Sequence, residues 1–66
     1  MISYAPLFQT MKDKGITSYR LGKMGFPLSN YYAIKQGKYI STHTLEQLCK
    51  LLQCNIEDII EYVDNE

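Results

Sequence analysis

Few side chains in this 66-residue sequence belong to the types that most often carry catalysis or bind metal ions. There is one histidine, His43, and there are two cysteines, Cys49 and Cys54, while the acidic residues are scattered through the second half. His43 lies near the predicted start of a helix and has no obvious carboxylate partner nearby, so we interpret it as a surface histidine. Residues 43 and 49 fall on different faces of that helix, so the three side chains do not converge as metal ligands. We therefore expect that the protein is not an enzyme, and that it has no metal site, no cofactor and no small-molecule substrate.

Residues 27–36 offer a different chemistry, because the helix predicted there has two unlike sides. Tyr31 and Ile34 lie three positions apart on one side, which suits a core. The other side holds small, polar or aromatic side chains, namely Ser29, Tyr32, Ala33 and Gln36. A short helix over residues 18 to 23 or 24 and a tight turn at Gly25 come just before it. A helix that its neighbour holds rigidly, with one side free, suits insertion into a DNA major groove, although other small helical bundles also contain such pairs.

The charges are sorted along the chain although their total is zero. Residues 1–38 carry six basic and one acidic residue, a net charge of +5, and residues 39–66 carry one basic and six acidic residues, a net charge of −5. Such sorting turns a basic face toward an anionic partner and an acidic face away from it. The alternative interpretation is that so few charges have segregated by chance.

The elements that position these side chains are five short helices, predicted from hydrophobic spacing and from end signals. The fourth has the most complete pattern, since Leu45, Leu48, Cys49 and Leu52 follow the i, i+3, i+4, i+7 spacing. Ser41 or Thr42 is expected to cap it. Asn55 and Asp58 have the spacing of a capping arrangement before the fifth. The other predicted helices cover residues 6–14, 18 to 23 or 24, 27–36 and 56–62.

Size and composition predict a single small domain, and the five predicted helices, with their tight helix pair, predict an all-α fold, a compact five-helix bundle that contains a helix-turn-helix. A chain this short buries only about 60% of the surface that its unfolded form exposes. Its hydrophobic fraction of 45% is typical of soluble folded chains, and no apolar run approaches the ~18 residues of a membrane span. We expect a cytoplasmic protein with reduced, half-buried cysteines and no membrane partner.

The chain ends and the tyrosines allow more than one interpretation. Residues 1–4 and 61–64 mix β-branched or aromatic residues with polar ones, so they either pair as a two-stranded ribbon or remain loose. Tyr4, Tyr19, Tyr31 and Tyr62 are expected to complete the core, because a large ring with a wet hydroxyl suits a small domain without tryptophan. Tyr32 and Tyr39 are better placed to contact a partner.

Several segments match the motifs of one family in order and in spacing. They are Gly15-Ile16-Thr17, Gly25-Phe26, Ile34-Lys35-Gln36-Gly37-Lys38, Thr44-Leu45 with Leu48-Cys49-Leu52, and Asn55-Ile56-Glu57-Asp58-Ile59. From about residue 6 to residue 63, the chain resembles the Cro/repressor-type helix-turn-helix (xenobiotic-response-element, XRE) family of small prokaryotic and phage transcriptional regulators. The resemblance implies one DNA-binding domain over residues 1–66, with the recognition helix, residues 27–36, in the major groove of double-stranded DNA.

The chain departs from the family pattern at two points. Lys35 stands where the family usually has glutamate, so the contact of that acid is missing. Four positions separate Leu21 from Gly25 where five are common, so either the turn is shortened or the alignment slips by one. Matched backward from Gly37, the base-facing positions of the family fall on Leu28, Ser29, Tyr32 and Ala33.

Roles at DNA follow from the chemistry of these side chains. Ser29 can donate to or accept from a base, Tyr32 can reach a base edge or a phosphate, and Leu28 or Ala33 can lie against a thymine methyl group. Phosphate contacts are expected from the cations and the amide around the helix pair, namely Arg20, Lys23, Lys35, Gln36 and Lys38.

The resemblance also implies a homodimer, because one recognition helix reads only a few base pairs and family members usually bind paired half-sites. The expected dimer surface is the apolar set Ile59, Ile60, Tyr62 and Val63, which otherwise closes the core. A second hypothesis, from another class of function, is a protein-binding module of the antitoxin or anti-repressor type that uses the acidic C-terminal half.

Overall fold

A computed structural model describes residues 1–64, and in that range the chain forms four α-helices, one 3-10 turn and two short strands. The elements in chain order are β1 (Ile2–Ser3), α1 (Ala5–Asp13), α2 (Ser18–Lys23), α3 (Leu28–Lys35), α4 (Thr42–Leu52), the 3-10 turn (Ile56–Asp58) and β2 (Glu61–Tyr62). The strands pair antiparallel, with Ile2 opposite Tyr62 and Ser3 opposite Glu61. The mainly helical fold is confirmed, and of the two interpretations of the chain ends the ribbon is the one found.

The prediction of a fifth α-helix over residues 56–62 is wrong. The capping signal before it is real, because the Asn55 amide donates to the Asp58 carboxylate at 3.0 Å and the reciprocal bond is also present. Only one 3-10 turn follows, however, and the chain then becomes extended. The reason is the ribbon: the Val63 amide donates to the Met1 carbonyl at 2.8 Å, and the Met1 ammonium donates to the Val63 carbonyl at 2.8 Å. Residues that pair with β1 cannot also continue a helix.

The starts of α2 and α4 follow the predicted capping signals. The Thr17 hydroxyl accepts from the Arg20 amide at 3.1 Å at the start of α2. Ser41, rather than Thr42, caps α4, since its hydroxyl accepts from the Thr44 amide at 3.1 Å. Each cap satisfies an amide that has no partner within its own helix, and each therefore fixes the residue at which the helix begins.

All four α-helices end in the same way, with a left-handed residue and a hydrogen bond that spans six residues. Three of the left-handed positions are glycines, and the fourth is Gln53, with φ 52° and ψ 54°. The amide of the following residue then donates back to a carbonyl in the last turn of the helix, as in the Schellman motif. The four bonds are Ile16 to Met11 (2.8 Å), Phe26 to Leu21 (3.2 Å), Lys38 to Ala33 (3.0 Å) and Cys54 to Cys49 (3.1 Å).

One hydrophobic core joins these elements. Two hydrogen bonds tie α1 to the C-terminal segment, from the Thr10 hydroxyl to the Asp58 carbonyl at 2.7 Å and from the Leu7 amide to the Ile59 carbonyl at 3.2 Å. No helix within residues 1–64 is long and apolar enough to cross a membrane. The buried side chains are Tyr4, Leu7, Met11, Leu21, Phe26, Tyr31, Ile34, Leu45, Leu48, Leu52 and Ile59.

The core contains only two of the four tyrosines predicted for it. Tyr4 and Tyr31 are buried, but Tyr19 is 71% exposed and Tyr62 is 73% exposed. Tyr19 lies two positions before the buried Leu21, and residues two apart point to different sides of a helix. For Tyr19 and Tyr62, the core prediction is therefore wrong.

Candidate nucleic-acid interface

The turn between α2 and α3 forms at Gly25, as predicted. Gly25 has φ 104°, a left-handed conformation that an L side chain rarely adopts. The next residue, Phe26, is buried, and Pro27 is extended and caps α3. The α2 helix has six residues, so the chain makes the turn after less than two helical turns. The helix predicted for recognition, α3, runs from Leu28 to Lys35 and is shorter at both ends than the predicted 27–36.

One side of α3 is fixed in the core. Tyr31 and Ile34 are buried, as their spacing predicted. The Tyr31 ring meets the Phe8 ring edge to face, with centroids 6.3 Å apart and planes at 89°. This is a favourable geometry for two aromatic rings, and it locks α3 onto α1.

The opposite side of α3 faces solvent and carries the predicted base-contacting residues. Ser29 is exposed, Tyr32 is 56% exposed, and Gln36 is exposed just after the helix. Leu28 is 39% exposed and Ala33 is half-buried. The structure thus brings these side chains to one surface, in which Ala33 is the least accessible.

Leu28 also joins the two helices of the pair. A Cβ atom at Gly22 in α2 would lie 3.2 Å from Leu28 Cδ2. The Leu28 side chain is therefore so close to the Gly22 backbone that any residue larger than glycine would be crowded. The Leu28 side chain therefore has one part against α2 and another part in solvent, at the edge of the exposed side of α3.

Four exposed cations lie on α2, on α3 and in the loop after α3. Arg20 and Lys23 lie in the last turn of α2, Lys35 in the last turn of α3, and Lys38 in the following loop. Cations are favoured at the C-terminal ends of helices by the helix dipole. Lys50, by contrast, lies on α4 and pairs with Glu46 at 3.5 Å.

Two of the cations lie over aromatic rings. Lys23 Nζ is 5.4 Å from the Tyr19 ring centroid, and Lys35 Nζ is 5.9 Å from that of Tyr31. Both distances are within the range of cation–π attraction. These contacts orient the two ammonium groups beside α3 while both lysines remain exposed.

Sequence reasoning missed the cleft between α2 and α3. Its lining residues are Tyr19, Gly22, Lys23, Phe26 and Leu28. One sequence signal could have indicated the cleft: Tyr19 is two positions from the core residue Leu21, so its ring points to a different side of α2. Tyr39 was expected to contact a partner, and it is 77% exposed in the loop after α3.

The four residues predicted for a dimer surface differ in accessibility. Ile59 is fully buried in the hydrophobic core, so the core interpretation holds for it. Ile60 and Val63 are half-buried, and Tyr62 is exposed. Sequence reasoning did not include Ile56, which is 50% exposed in the 3-10 turn.

The other candidate chemical groups lie on α4 or just after it. His43 is exposed in the first turn of α4, and both cysteines are half-buried free thiols. Burial is the main cause that raises the pKa of the Cys54 thiol. Within residues 1–64, no three histidine, cysteine or carboxylate side chains are grouped so as to hold a metal ion.

Comparison with known proteins gives two matches. The Cro/C1-type HTH (helix-turn-helix) DNA-binding domain model matches residues 7–65. The crystal structure of the transcriptional regulator VanUg, form II, superposes with a TM-score of 0.84 at 25% sequence identity, covering 97% of this chain and 87% of that one. None of the curated proteins compared matches the chain. Because the family model spans nearly the whole sequence, the chain belongs to the Cro/C1-type helix-turn-helix DNA-binding family.

Proposed function

We propose that the protein is a sequence-specific transcriptional regulator that inserts α3 into the major groove of double-stranded DNA. The observation that supports this most directly is the division of α3 into a buried side, with Tyr31 and Ile34, and an exposed side, with Ser29 and Tyr32. A rigid helix with free polar groups is what base readout requires. The similarity to a transcriptional regulator supports the same proposal.

Ser29 and Tyr32 are the proposed hydrogen-bonding readers of the base edges. Leu28 is the proposed contact to a thymine methyl group, since part of its side chain is exposed beside them. Ala33 is a weaker candidate for such a contact because it is half-buried. None of these side chains makes the bidentate contact that arginine or glutamine makes with a base, so sequence discrimination is expected to be modest.

The phosphate contacts are assigned to Arg20, Lys23, Lys35, Gln36 and Lys38. All five side chains are exposed, and they lie on α2, on α3 or in the loop that follows α3. Neutralising phosphates releases condensed counterions, so affinity should fall as salt rises, with a log–log slope of about −0.9 for each phosphate neutralised. Because the proposed target is DNA, we also propose that the protein is located in the cytoplasm.

The protein is further proposed to act as a homodimer, with residues 1–66 as its single domain. Its dimer surface is revised to the accessible apolar residues of the C-terminal segment, which are Ile56, Ile60, Tyr62 and Val63. Exposed apolar side chains of this size are favoured at interfaces between subunits. A twofold pair of α3 helices would read half-sites about one helical turn of DNA apart.

The test is selection of bound sequences from a random double-stranded DNA pool at a series of salt concentrations. We expect enrichment of two half-sites about 10 base pairs apart, with affinity that falls as salt rises. Enrichment of a single half-site would contradict the dimer alone. No retention at low salt would contradict DNA binding and would favour the protein-binding alternative through the acidic half.

Matched variants locate the contact surface. Tyr32→Ala should weaken binding to the selected site, whereas Gln9→Ala, which shortens an exposed neutral side chain of α1, should leave binding unchanged. Ser29→Ala should relax the base preference at one position of each half-site. Unchanged selection with both Ser29→Ala and Tyr32→Ala would exclude α3 as the reading element.

A further inference from the structure

The C-terminal end of α4 brings the only two cysteines of the sequence together. Gln53 is left-handed and reverses the chain, and the Cys54 amide then donates to the Cys49 carbonyl at 3.1 Å. The main chain of Cys54 is therefore held against the last turn of the helix that contains Cys49. Both residues also line one cleft at the surface.

The other helix ends indicate how the two thiols are placed. In the Schellman motif, the side chains of the first and sixth residues of the hydrogen-bonded loop commonly pack together. The equivalent pairs in this chain are Met11 with Ile16 at the end of α1, and Leu21 with Phe26 at the end of α2. Those four side chains belong to the core or pack against it. At the end of α4, two thiols occupy the same pair of positions.

We propose that Cys49 and Cys54 form a dithiol modification site, which low-molecular-weight disulfides close to an intrachain disulfide and thiols reopen. A disulfide needs Cα atoms about 4.4–6.8 Å apart and Cβ atoms directed toward each other. The main-chain hydrogen bond between the two residues holds their backbones close together, and the motif directs both side chains to the same side. The bond would therefore form without unfolding α4.

The reaction is ordinary thiol–disulfide exchange. One cysteine thiolate attacks a small disulfide RSSR, forms a mixed disulfide and releases RS⁻, which takes up the proton that the thiol lost. The second cysteine thiolate then attacks the protein sulfur of the mixed disulfide and expels the second RS⁻. In total, two thiols are oxidised to one disulfide, and RSSR is reduced to two RSH.

The surroundings of the pair govern how fast this exchange proceeds. The pKa of the Cys54 thiol is raised by burial first, then by the adjacent Cys49 and by Asp58, while Lys14 opposes the shift. The charged groups around the cleft are Asp13, Lys14, Lys50 and Asp58. Because the thiolate is the nucleophile, a raised pKa leaves less thiolate at neutral pH and slows the exchange. The exchange becomes faster as the pH rises and the thiolate fraction grows.

The test compares the effective concentration of the thiol pair in the native chain and in the unfolded chain. The full chain is equilibrated in mixtures of reduced and oxidised glutathione, with and without guanidinium chloride, then quenched in acid. Alkylation and intact mass separate the dithiol, the intrachain disulfide and the glutathione adducts. We expect the intrachain disulfide, with an effective concentration about ten-fold or more higher in the native chain than in denaturant.

Either of two results would overturn the proposal. One is an effective concentration that is equal or lower in the native chain, which would mean that the fold holds the thiols apart. The other is a native chain that carries glutathione on both cysteines instead of closing. Cys49→Ser and Cys54→Ser are the controls, and each should accumulate one glutathione that is not displaced. The comparison uses the unmodified sequence, so it does not depend on the folding of a variant or on DNA binding.

Discussion

Leu28, the first residue of α3, lies against Gly22 of α2, where a Cβ atom would be 3.2 Å from Leu28 Cδ2. We expect Gly22→Ala to have two opposing effects. Alanine favours the helical state over glycine by about 1 kcal/mol, while crowding of Leu28 removes some or all of that gain. The contact is therefore expected to couple the two positions.

A double-mutant cycle of Gly22→Ala and Leu28→Ala isolates this coupling in urea unfolding. In the Leu28→Ala background the crowded atoms are absent, so Gly22→Ala should stabilise the protein by about 1 kcal/mol, and by less in the original sequence. Equal effects in both backgrounds would show that Leu28 moves aside freely. The helix pair would then not depend on this contact.

The left-handed helix ends give a second prediction, with a natural control. Gln53 adopts φ 52°, which costs an L residue roughly 1 kcal/mol or more, whereas Gly37 occupies the equivalent position after α3 with φ 77°. Gln53→Gly should raise the free energy of unfolding by about 0.5 kcal/mol after the extra chain entropy of glycine is counted. Gly37→Ala should lower it by about 1 kcal/mol, since its Cβ would meet no atom within 4 Å and only the conformation opposes it. Chemical denaturation measures both changes, and effects of equal sign would contradict the argument.

Tyr4 anchors the loop after α3. Its hydroxyl donates to the Lys38 carbonyl at 2.7 Å, and its ring is buried. Tyr4→Phe should cost about 1 kcal/mol of unfolding free energy, because the Lys38 carbonyl loses a partly buried donor. Tyr62→Phe is the matched control, since that ring is exposed, and its effect should be close to zero. Equal losses would show that the hydroxyl bond contributes nothing.

Alkaline pH should destabilise the fold through the Cys54 thiol and the Tyr4 hydroxyl. Burial is the main cause that raises the pKa of Cys54 above 9.0 and that of Tyr4 above 10.0 in the folded chain. Both groups therefore favour their protonated forms in the fold. Their contribution is fully present below the unfolded pKa values and is lost as pH rises through the folded ones.

The measurement is the unfolding free energy as a function of pH, from pH 7 upward. Stability should begin to fall above about pH 9. Tyr4→Phe should make the decline above about pH 10 shallower. A decline of the same slope in Tyr4→Phe and in the original sequence would assign it to other groups.

How far the sequence predicts the fold depends on whether local signals agree with tertiary pairing. The caps at Thr17 and Ser41 and the core positions of α4 are local, and they were predicted correctly. The capping box at Asn55 was also correct, but a helix after it competes with the ribbon to β1, which lies almost 60 residues earlier in the sequence. The sequence of residues 56–62 alone does not reveal that they pair with a distant strand, so the fifth helix was predicted in error.

The candidate site was predictable in part for the same reason. Helical spacing separated the buried side of α3 from its exposed side, and the structure agrees on Tyr31, Ile34, Ser29 and Tyr32. The contact of Leu28 with Gly22 and the placement of Lys23 over the Tyr19 ring depend on how α2 packs against α3. Such contacts between elements follow from the tertiary arrangement, which spacing along one helix does not contain.

Charge removal at two lysines separates a role at phosphate from a general effect of net charge. Lys35 lies in the last turn of α3 beside the Tyr31 ring, and Lys50 lies on α4, paired with Glu46. Lys35→Gln should weaken DNA binding and reduce the log–log salt slope by about 0.9, as expected for one lost phosphate contact. Lys50→Gln removes the same charge from the acidic half of the chain and should leave the slope unchanged. Titrations of the selected DNA site at several salt concentrations measure both slopes. If the two variants lower the slope equally, long-range attraction by net charge accounts for the effect, and Lys35 makes no phosphate contact.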